Sequence, residues 1–405
     1  MIIHKRMEEV CLLVTDGTHD TPKTSERGYP LVKGKNIKNG FVNLDDCQII
    51  SQDDYETINK RSKVEQNDIL ISNIGTVGEC AFIDYSPEYA IKNIALLKPN
   101  PNIIEPRFLY YYVISPKFQE NIRAVCTGSA QPFLALNVLR NMEVPVPPLE
   151  LQQEIVSILD PLNEKVKLNL NINSLIEEKI RVKYKNLFVD CAKVKEGNTA
   201  GEDTPILDDY SIKTFEELFL LSKESIKPQQ IDKKCPYIGL EHMPKGSITL
   251  SDWGNSEEVS SNKYKYKKMD VLFGKLRPYF KKVGIAPNDG VCSTDILVLR
   301  PKEDHFYGLL LGTVIQDSFI DYCVSVSSGT KMPRTNWNEM KKYQIIIPND
   351  RSVIVEFNNY VWNFSELVLE NIYEIKKLIE IRDYLIPRLF SGEIVNFENR
   401  SKETY

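Results

Sequence analysis

The segment Thr127-Gly-Ser-Ala-Gln-Pro132, with the strand and long helix predicted after it up to Phe188, is repeated as Ser328-Gly-Thr-Lys-Met-Pro333 and its continuation to Phe390. The two copies align without a gap at an offset of 201 residues. The shared positions are Gly128, Pro132, Asn137, Leu139, Arg140 and Pro147, which fall on Gly329, Pro333, Asn338, Met340, Lys341 and Pro348. Each copy reads as a polar glycine loop, an aliphatic strand that ends in proline, and a long helix. One plan is therefore used twice.

The residues before each glycine loop repeat as well. Glu65–Asn73 matches Lys267–Lys275, and Ile94–Pro99 matches Ile296–Pro301, both at an offset of 202 residues. Short β-type runs bounded by turn residues predict strands; they include Leu12–Val14, Ile69–Ser72, Cys80–Ile83, Ile94–Lys98, Tyr237–Leu240, Val271–Gly274 and Ile296–Arg300. Apolar residues at helical spacing predict helices over Glu105–Ser115, Phe118–Val125 and Tyr307–Val324. The fold class is α+β, with two copies of one mixed α/β domain.

Two long helices follow the proline-terminated strands. Their apolar stripes have three- and four-residue spacings and consist of Ile155, Leu159, Leu162 and Val166 in the first helix and Ile354, Phe357, Val361, Phe364 and Val368 in the second. A helix over Leu149–Phe188 would be about 60 Å long, which favours an antiparallel coiled coil of the two helices. The alternative is that each helix packs on its own domain. Asn169, Asn171 and Asn173 are expected to weaken the first helix, and Pro387 and Gly392 to end the second.

These patterns predict the following order of segments: domain 1 over 1–147, a central helix over 148–190, a linker over 191–209, domain 2 over 210–348, a distal helix over 349–391 and a tail over 392–405.

Composition narrows the class of protein. A 405-residue chain with 42% hydrophobic and 26% charged residues is long enough for two or three domains. The sequence has no signal-peptide pattern and no apolar run near 20 residues, so we expect a cytoplasmic protein without membrane spans. The eight cysteines are scattered, without metal-ligand spacing, and are expected to be reduced structural thiols.

Motifs for catalysis are missing from the sequence. We find no phosphate-binding G-x-x-x-x-G-K-[ST], no G-x-G-x-x-G, no H-E-x-x-H and no G-x-S-x-G, and the only Pro-Pro pair, Pro147-Pro148, is followed by Leu149 and not by an aromatic residue. The four histidines are isolated in sequence. We infer that the chain is not an enzyme. The competing hypothesis is a nuclease or other hydrolase built from dispersed Asp, Glu and His residues.

Basic residues interleaved with aromatic residues are typical of nucleic-acid surfaces. The denser cluster extends from Lys263 to Lys282 and contains eight positive charges, including Lys268, the single acid Asp270, and aromatic residues such as Tyr264 and Tyr266. The candidate DNA-binding residues in this part of the chain are Lys265, Lys267, Lys275, Arg277, Tyr279, Lys281 and Lys282, and a weaker cluster near the N-terminus supplies Lys33, Lys35, Asn36 and Lys38. The glycine loops add Thr127, Ser129, Gln131, Ser328, Lys331 and Arg334. The alternatives are a solvated charged face for the clusters and tight turns for the loops. Because the net charge is −5, binding to DNA would depend on such local patches or on a basic partner.

The chain resembles the specificity subunits of type I restriction–modification systems over nearly its whole length. The resemblance rests on Gly128–Pro132, Pro145–Ile155, Asp270–Tyr279, Ser293–Pro301 and Arg382–Glu393. It implies two target-recognition domains, each of which reads one half of a bipartite asymmetric site in double-stranded DNA. It also implies that the helices fix the distance between the half-sites and dock two methylation subunits.

The same resemblance implies that restriction subunits join through the methylation subunits, and that S-adenosylmethionine, ATP and Mg²⁺ are bound by those partners. This chain would then be the non-catalytic subunit of an adenine DNA methyltransferase and endonuclease complex, with no cofactor of its own. The alternative is a free-standing DNA-binding scaffold or an orphan specificity subunit that modulates a related system. The distal helix opens with Pro348-Asn-Asp-Arg-Ser352 and lacks the Pro-Leu-x-x-Gln-Gln of the central helix.

Overall fold

A computed structural model describes residues 3–38, 40–44, 47–126, 133–190, 209–257, 259–329, 332–391 and 393. The chain forms two compact units. The first unit consists of Met1–Lys165 and Leu378–Tyr405, and the second of Val166–Lys377. The boundary between the units therefore falls inside each long helix.

The first unit is built on a four-stranded antiparallel sheet. In chain order its strands are β1 (Ile3–Arg6), β2 (Cys11–Asp16), β3 (Tyr29–Lys33), β4 (Ile37–Lys38), β5 (Phe41–Val42), β6 (Gln48–Ile50), β7 (Ile69–Ser72), β8 (Cys80–Phe82), β9 (Ala90–Lys92), β10 (Ile94–Pro99) and β11 (Glu143–Val146). The main sheet has the order β2-β10-β7-β8, and a second sheet has the order β6-β3-β9, in which β3 and β9 run parallel. β1 pairs with β11, and β4 with β5.

Short helices pack on the sheets of the first unit; Gln52–Ser62 packs on β6-β3-β9 and the others on the main sheet. The helices of the first unit are Met7–Val10, Gln52–Ser62, Pro106–Val113, Pro116–Cys126 and Leu136–Asn141. Ser51 caps Gln52–Ser62 by accepting a hydrogen bond from Asp54 N, and Glu105 caps Pro106–Val113 by accepting one from Phe108 N. The core beneath these helices combines strand residues with Phe108, Phe118 and Ile122 from the helices.

The second unit repeats this plan. Its strands are β12 (Tyr210–Thr214), β13 (Phe219–Ser222), β14 (Ser225–Ile226), β15 (Pro236–Ile238), β16 (Gly254–Asn255), β17 (Lys263–Tyr266), β18 (Val271–Gly274), β19 (Val283–Ile285), β20 (Gly290–Cys292), β21 (Ile296–Pro301) and β22 (Gln344–Pro348). Its helices are Phe215–Leu218, Tyr307–Val314, Asp317–Ser325 and Trp337–Met340. The prediction of a single helix over Tyr307–Val324 is thus wrong, because the helix is interrupted between Val314 and Asp317.

Strand order shows the repetition most directly. The main sheet of the second unit is β13-β21-β18-β19, which corresponds strand for strand to β2-β10-β7-β8, and β12 pairs with β22 as β1 does with β11. β15 and β20 run parallel as β3 and β9 do. The predicted fold of two repeated mixed α/β domains with long antiparallel helices is confirmed.

A matching ion pair stabilises each main sheet. Lys98 Nζ lies 2.7 Å from Asp68 Oδ2, and Arg300 donates two bonds of 2.7 Å to Asp270. Both carboxylates are buried, and each also accepts a hydrogen bond from the backbone N–H three residues before it in the chain. The pairs occupy equivalent positions on β10 and β21 and beside β7 and β18, so the repeat extends to buried electrostatics.

The central helix spans Leu149–Lys185 and ends in a π-helical turn, Asn186–Asp190. The distal helix spans Arg351–Phe390. The first helix is continuous through the three asparagines that are expected to weaken it. The expected end at Pro387 is corrected, because the second helix continues through that residue. Asn169 and Asn173 are accommodated because they hydrogen-bond to the distal helix, as described below. Pro387 is tolerated because it lies in the last turn, and the helix ends at Phe390.

The residues of the two predicted apolar stripes differ in burial. Ile155 and Leu159 lie in the first unit's core with Ile386 and Leu389 of the distal helix. Ile354, Phe357, Val361 and Val368 lie in the second unit's core with Ile176, Ile180, Tyr184 and Phe188. Val166 is also buried, whereas Leu162 and Phe364 are half-buried. The helices thus contact each other and the sheet domains.

Polar contacts show that the helices run antiparallel. Within the second unit, Asn371 Nδ2 donates to Asn173 Oδ1 at 2.7 Å, and Asn169 Nδ2 donates to Glu374 Oε2 at 2.6 Å. Lys183 Nζ lies 3.5 Å from Glu356 Oε1 further along the same pair. The residue numbers of the contacting partners thus decrease along the distal helix as they increase along the central helix, which is the pattern of an antiparallel pair.

Candidate nucleic-acid interface

The basic cluster of the second unit divides between exposed and buried positions. Lys265 and Lys267 are exposed along β17 and the turn after it, and Lys265 Nζ lies 3.0 Å from Glu224 Oε1. Lys263 and Tyr266, in contrast, are buried. Lys263 Nζ donates to Ser261 Oγ at 2.7 Å. These two residues of the predicted cluster therefore serve the fold.

A tight turn follows β18. Arg277 and Lys281 have positive φ values of 50° and 49°, on either side of the 3₁₀ turn Pro278–Phe280. Tyr279 at its tip is 46% exposed. The Arg277 guanidinium lies 5.9 Å from the centre of the Phe280 ring, and Lys245 Nζ lies 4.6 Å from the same ring. The turn thus presents an aromatic ring between two cations, an arrangement worth about 0.5–1 kcal/mol at exposed sites.

The second glycine loop packs against this segment. Arg277 N donates to Pro333 O at 2.8 Å, and Thr335 N donates to Lys275 O at 3.1 Å. These backbone bonds bring Arg334, predicted from a loop, next to Lys275, predicted from a strand end. Ser328 is exposed and forms a β-bridge with Arg334. The structure therefore joins two sets of candidate residues that lie far apart in sequence.

Between them lies a cleft of about 290 Å³, which we call the basic cleft. It is lined by Leu221, Lys223, Tyr264, Lys275, Leu297, Arg334, Thr335, Asn336, Trp337 and Asn338. Arg334 Nη2 lies 2.9 Å from Asp295 Oδ1, and Lys275 Nζ donates to Thr294 O. Lys223 was not predicted, because no basic cluster surrounds it in the sequence. Cations, amides and aromatic rings on one concave surface suit a phosphate or a base edge.

Lys281 and Lys282 do not line the basic cleft. Lys281 Nζ lies 2.7 Å from Asp317 Oδ1, and this contact with Lys281 holds the pKa of the Asp317 carboxyl below its usual range. Lys282 Nζ donates to Leu240 O, and burial lowers its pKa. Both side chains are therefore engaged by the protein itself.

The candidate residues of the first unit are fewer and partly structural. Asn36 is buried, and its Oδ1 accepts a hydrogen bond from Lys33 N at 3.0 Å. Lys33 Nζ donates to Gln48 Oε1 at 3.0 Å, and Lys35 is exposed. The candidates Thr127, Ser129, Gln131 and Lys331, and the side chain of Lys38, lie outside the described part of the structure.

Sequence reasoning missed a second group beside Lys33. Lys92 is its register partner on the parallel strand β9, and Lys92 Nζ donates to Thr21 Oγ1. His19 lies next to it, with Nε2 2.9 Å from Asp16 Oδ2 and Nδ1 2.8 Å from Asn93 Oδ1. The signal available in the sequence was the polar segment 17–28, which has no periodicity and lies between two strands.

Neither a metal site nor a membrane span is found in the described ranges. No group of three or more His, Cys, Asp or Glu side chains there is arranged to hold a metal ion. No helix of those ranges is both long and apolar enough to cross a bilayer. Burial raises the pKa of the Cys292 and Cys323 thiols to about 12, so both remain protonated at neutral pH.

The sequence matches the family model described as type I restriction modification DNA specificity domain twice, over residues 4–178 and 208–377. The chain is 25% identical to the type I restriction enzyme HindI specificity subunit of Haemophilus influenzae, covering 89% of this chain and 93% of that protein. It is 24% identical to the MjaIX specificity subunit of Methanocaldococcus jannaschii, covering 80% and 77%.

The fold agrees with these matches. A crystal structure of the type I restriction–modification S subunit from M. genitalium superimposes with a TM-score of 0.53 at 16% identity, covering 96% of each chain. Two matches to the family model, one in each half, correspond to the two units that share one strand order. The chain therefore belongs to the type I restriction–modification DNA specificity family and carries two copies of its domain.

Proposed function

We propose that this chain is the DNA-reading subunit of a type I restriction–modification complex. Each unit contacts one half of a bipartite, asymmetric site in double-stranded DNA, and the helices dock two methylation subunits. Restriction subunits join through these. The chain itself is non-catalytic, and adenine methylation and DNA cleavage are carried out by the partners, which bind S-adenosylmethionine, ATP and Mg²⁺.

One observation carries this proposal: the two units share a strand order but present different side chains at the same end of their sheets. In the second unit Lys275 and Arg334 face a cleft. In the first unit the corresponding end holds His19 and Lys92, with the buried Asp16 paired to His19. Two domains that share one fold but differ in the side chains of this surface are suited to recognise two different half-sites.

The central helix offers a surface for the methylation subunits. Leu168, Leu175 and Val182 recur every seven residues and are 52%, 56% and 49% exposed. Residues at this spacing lie close to one face of a helix. Asn169 and Asn173 face the distal helix. The side chains of Leu168, Leu175 and Val182 are exposed and are therefore available to a helix of another subunit.

The methylated motif tests the reading function. Host DNA is sequenced by a single-molecule method that detects methylated adenine, with and without this gene. We expect a motif of two short specified parts separated by unspecified bases, present only with the gene. A continuous motif, or the same methylation without the gene, would contradict the proposal.

Substitution of Lys275 and Arg277 by Ala tests the assignment of the second unit. The complex should bind DNA more weakly, and the loss of Arg277 should relax specificity in one half-site only, because each unit is expected to read its own half. Relaxed specificity in both half-sites would show that the units do not read independently.

Leu175→Glu tests the docking surface. We expect loss of the methylation subunits on size-exclusion chromatography and an unchanged Tm for the chain alone, because the side chain is exposed. Ser174→Glu, at the exposed neighbouring position on a different face of the helix, is the matched control and should keep the complex intact. Retention of both methylation subunits by Leu175→Glu would place docking elsewhere.

A further inference from the structure

Three equivalent positions around the two main sheets differ in charge between the units. On the main sheets, Leu97 pairs with Val14 and Leu299 pairs with Leu221. Two residues further along the outer strand, the first unit has Asp16 and the second has Lys223. Because both strands follow the same register, this acid and this lysine occupy matching sites in the two copies.

The glycine-loop segments supply the other matching positions. Leu134 N donates to Asn73 O at 3.0 Å, and Thr335 N donates to Lys275 O at 3.1 Å. Asn73 therefore corresponds to Lys275. The β-bridges Ile74 to Phe133 and Leu276 to Arg334 make Phe133 the counterpart of Arg334. Within the loops themselves, 127–132 contains no charged residue, whereas Lys331 lies in the second copy.

Three cations of the second unit are thus replaced in the first by an acid, an amide and a phenyl ring. Lys223, Lys275 and Arg334 line one cleft with Asp295 at its edge. Burial is the main cause that lowers the pKa of Lys275, and the nearby charges of Arg334 and Lys223 lower it further, whereas Asp295 raises it. The three cations are therefore close enough to influence one another. In the first unit, Asp16 accepts a hydrogen bond of 3.0 Å from Arg61.

We propose that the basic cleft is a phosphate subsite for the DNA backbone, and that the first unit has no counterpart. This inference rests on the proposed DNA-reading function. Three cations and one carboxylate leave the cleft with a net charge of +2 when Asp295 remains paired with Arg334, so a phosphodiester with its single negative charge is attracted to it. The second unit accordingly supplies most of the salt-dependent, sequence-independent part of the affinity, and the first unit depends more on base contacts.

Salt titration measures this division directly. Each phosphate contact that is lost should reduce the slope of log Kobs against log salt by about 0.9 for B-DNA. The assay uses fluorescence anisotropy of the complete complex with the methylation subunits on a duplex that carries its methylated motif. Lys275→Met and Arg334→Gln should each lower affinity for matched and scrambled duplexes alike and flatten the slope.

Two variants serve as controls. Lys275→Arg keeps the charge and should restore the slope. Lys302→Met removes an exposed lysine that follows Pro301 at the other end of β21, roughly 20 Å from the cleft at about 3.3 Å per strand residue. It should leave the slope unchanged. The Tm of each variant confirms that it is folded.

Methylphosphonate replacement locates the contact on the DNA. Neutral linkages are placed in one half-site at a time. The wild-type complex should lose more affinity from one half-site than from the other, and Lys275→Met should abolish that difference.

Equal losses from both half-sites, or an unchanged slope in both cleft variants, would overturn the inference. So would an effect of Arg334→Gln confined to one base pair, because this would assign the cleft to a base edge. If the wild-type complex does not prefer its motif to a scrambled duplex, the proposed DNA-reading function itself fails. That result differs from the outcomes above, which overturn only the phosphate subsite.

Discussion

Asn371 donates its amide N–H to Asn173 Oδ1 at 2.7 Å, with both side chains almost fully buried between the two long helices. One turn away, Asn169 bonds to Glu374 in the same way. Buried amides in an apolar helix interface reduce stability but select one register, because any shift leaves them without partners.

We expect Asn173→Leu to destabilise the second unit, because it leaves the Asn371 amide buried and unpaired at a cost of about 1–3 kcal/mol. The double variant Asn173→Leu with Asn371→Leu should recover that loss or exceed the wild-type stability. Thermal unfolding of the four proteins forms the double-mutant cycle. Additive effects would show that the two amides are not coupled.

The same double variant should also broaden the gap in the methylated motif, because apolar residues permit more than one register. Ser174→Asn, at an exposed position of the same helix outside the docking surface, is the control and should leave a single gap length. A single, unchanged gap in the double variant would remove the asparagines as determinants of register.

Lengthening both helices should lengthen the unread gap. Four residues are inserted after Lys165 and four after Lys377, between the Asn163 and Asn169 contacts with the distal helix. Each helix grows by about 6 Å, so the gap should grow by about one or two base pairs at about 3.4 Å each, with both half-sites retained. Inserting four residues after Lys165 alone is incompatible with keeping both the Asn163–Arg382 and the Asn169–Glu374 contacts, and should instead destabilise the helix pair. Methylome sequencing reads both outcomes, and an unchanged gap would show that the helices do not set it.

The two glutamines at the start of the central helix should behave differently. Gln152 is buried and bridges Pro147 O, Ile103 O and Glu105 N at 2.8, 3.2 and 2.7 Å. Gln152→Ala leaves these backbone groups without their partner, at about 1–3 kcal/mol each, and should lower the Tm by about 2–4 °C per kcal/mol. Gln153 is exposed, so Gln153→Ala should keep the wild-type Tm. Equal thermal stability of the two variants would contradict the structural role of Gln152.

Lys275 should make DNA binding sensitive to alkaline pH. Burial, with Arg334 and Lys223 nearby, holds the pKa of Lys275 below the usual lysine range, while Asp295 and Cys292 act in the opposite direction. The protonated form binds phosphate, so affinity should fall as pH rises through this lowered pKa, before ordinary lysines lose charge near about 10.4. Lys275→Arg should keep its affinity over the same range. Parallel pH profiles for the two proteins would exclude Lys275 as the titrating group.

Much of the fold was predictable because the repeat is regular where it is buried. The residues around Asp68 and Asp270, and the strands that begin at Ile94 and Ile296, align at one offset, since core strands and their ion pairs tolerate no insertion. The Tyr307–Val324 helix was mispredicted because its apolar run continues across the break after Val314.

The basic cleft was only half predictable. Lys275 and Arg334 belong to visible clusters, but Lys223 corresponds to Asp16 at an offset of 207 residues, because the surface loops of the two halves differ in length. The burial of Lys263 and Tyr266 was hidden as well, because the two residues lie three apart along β17 and both are buried, which does not follow simple strand alternation. The sequence shows which residues are basic, but strand register and the packing of the loops determine which of these residues lie close together in the structure.

The discontinuity of the first unit has a consequence for biosynthesis. Ile386 and Leu389 pack in the same core as Met7 and Val10, so that core is completed by residues that leave the ribosome after the whole second unit. The usual order, in which the N-terminal domain folds first during translation, is inverted: the second unit has all its residues once Lys377 has emerged. Until the last turns of the distal helix are made, the nascent first unit exposes apolar surface to chaperones and proteases. A translation stop shortly after Lys377 would release a chain whose second unit is complete and whose first is open.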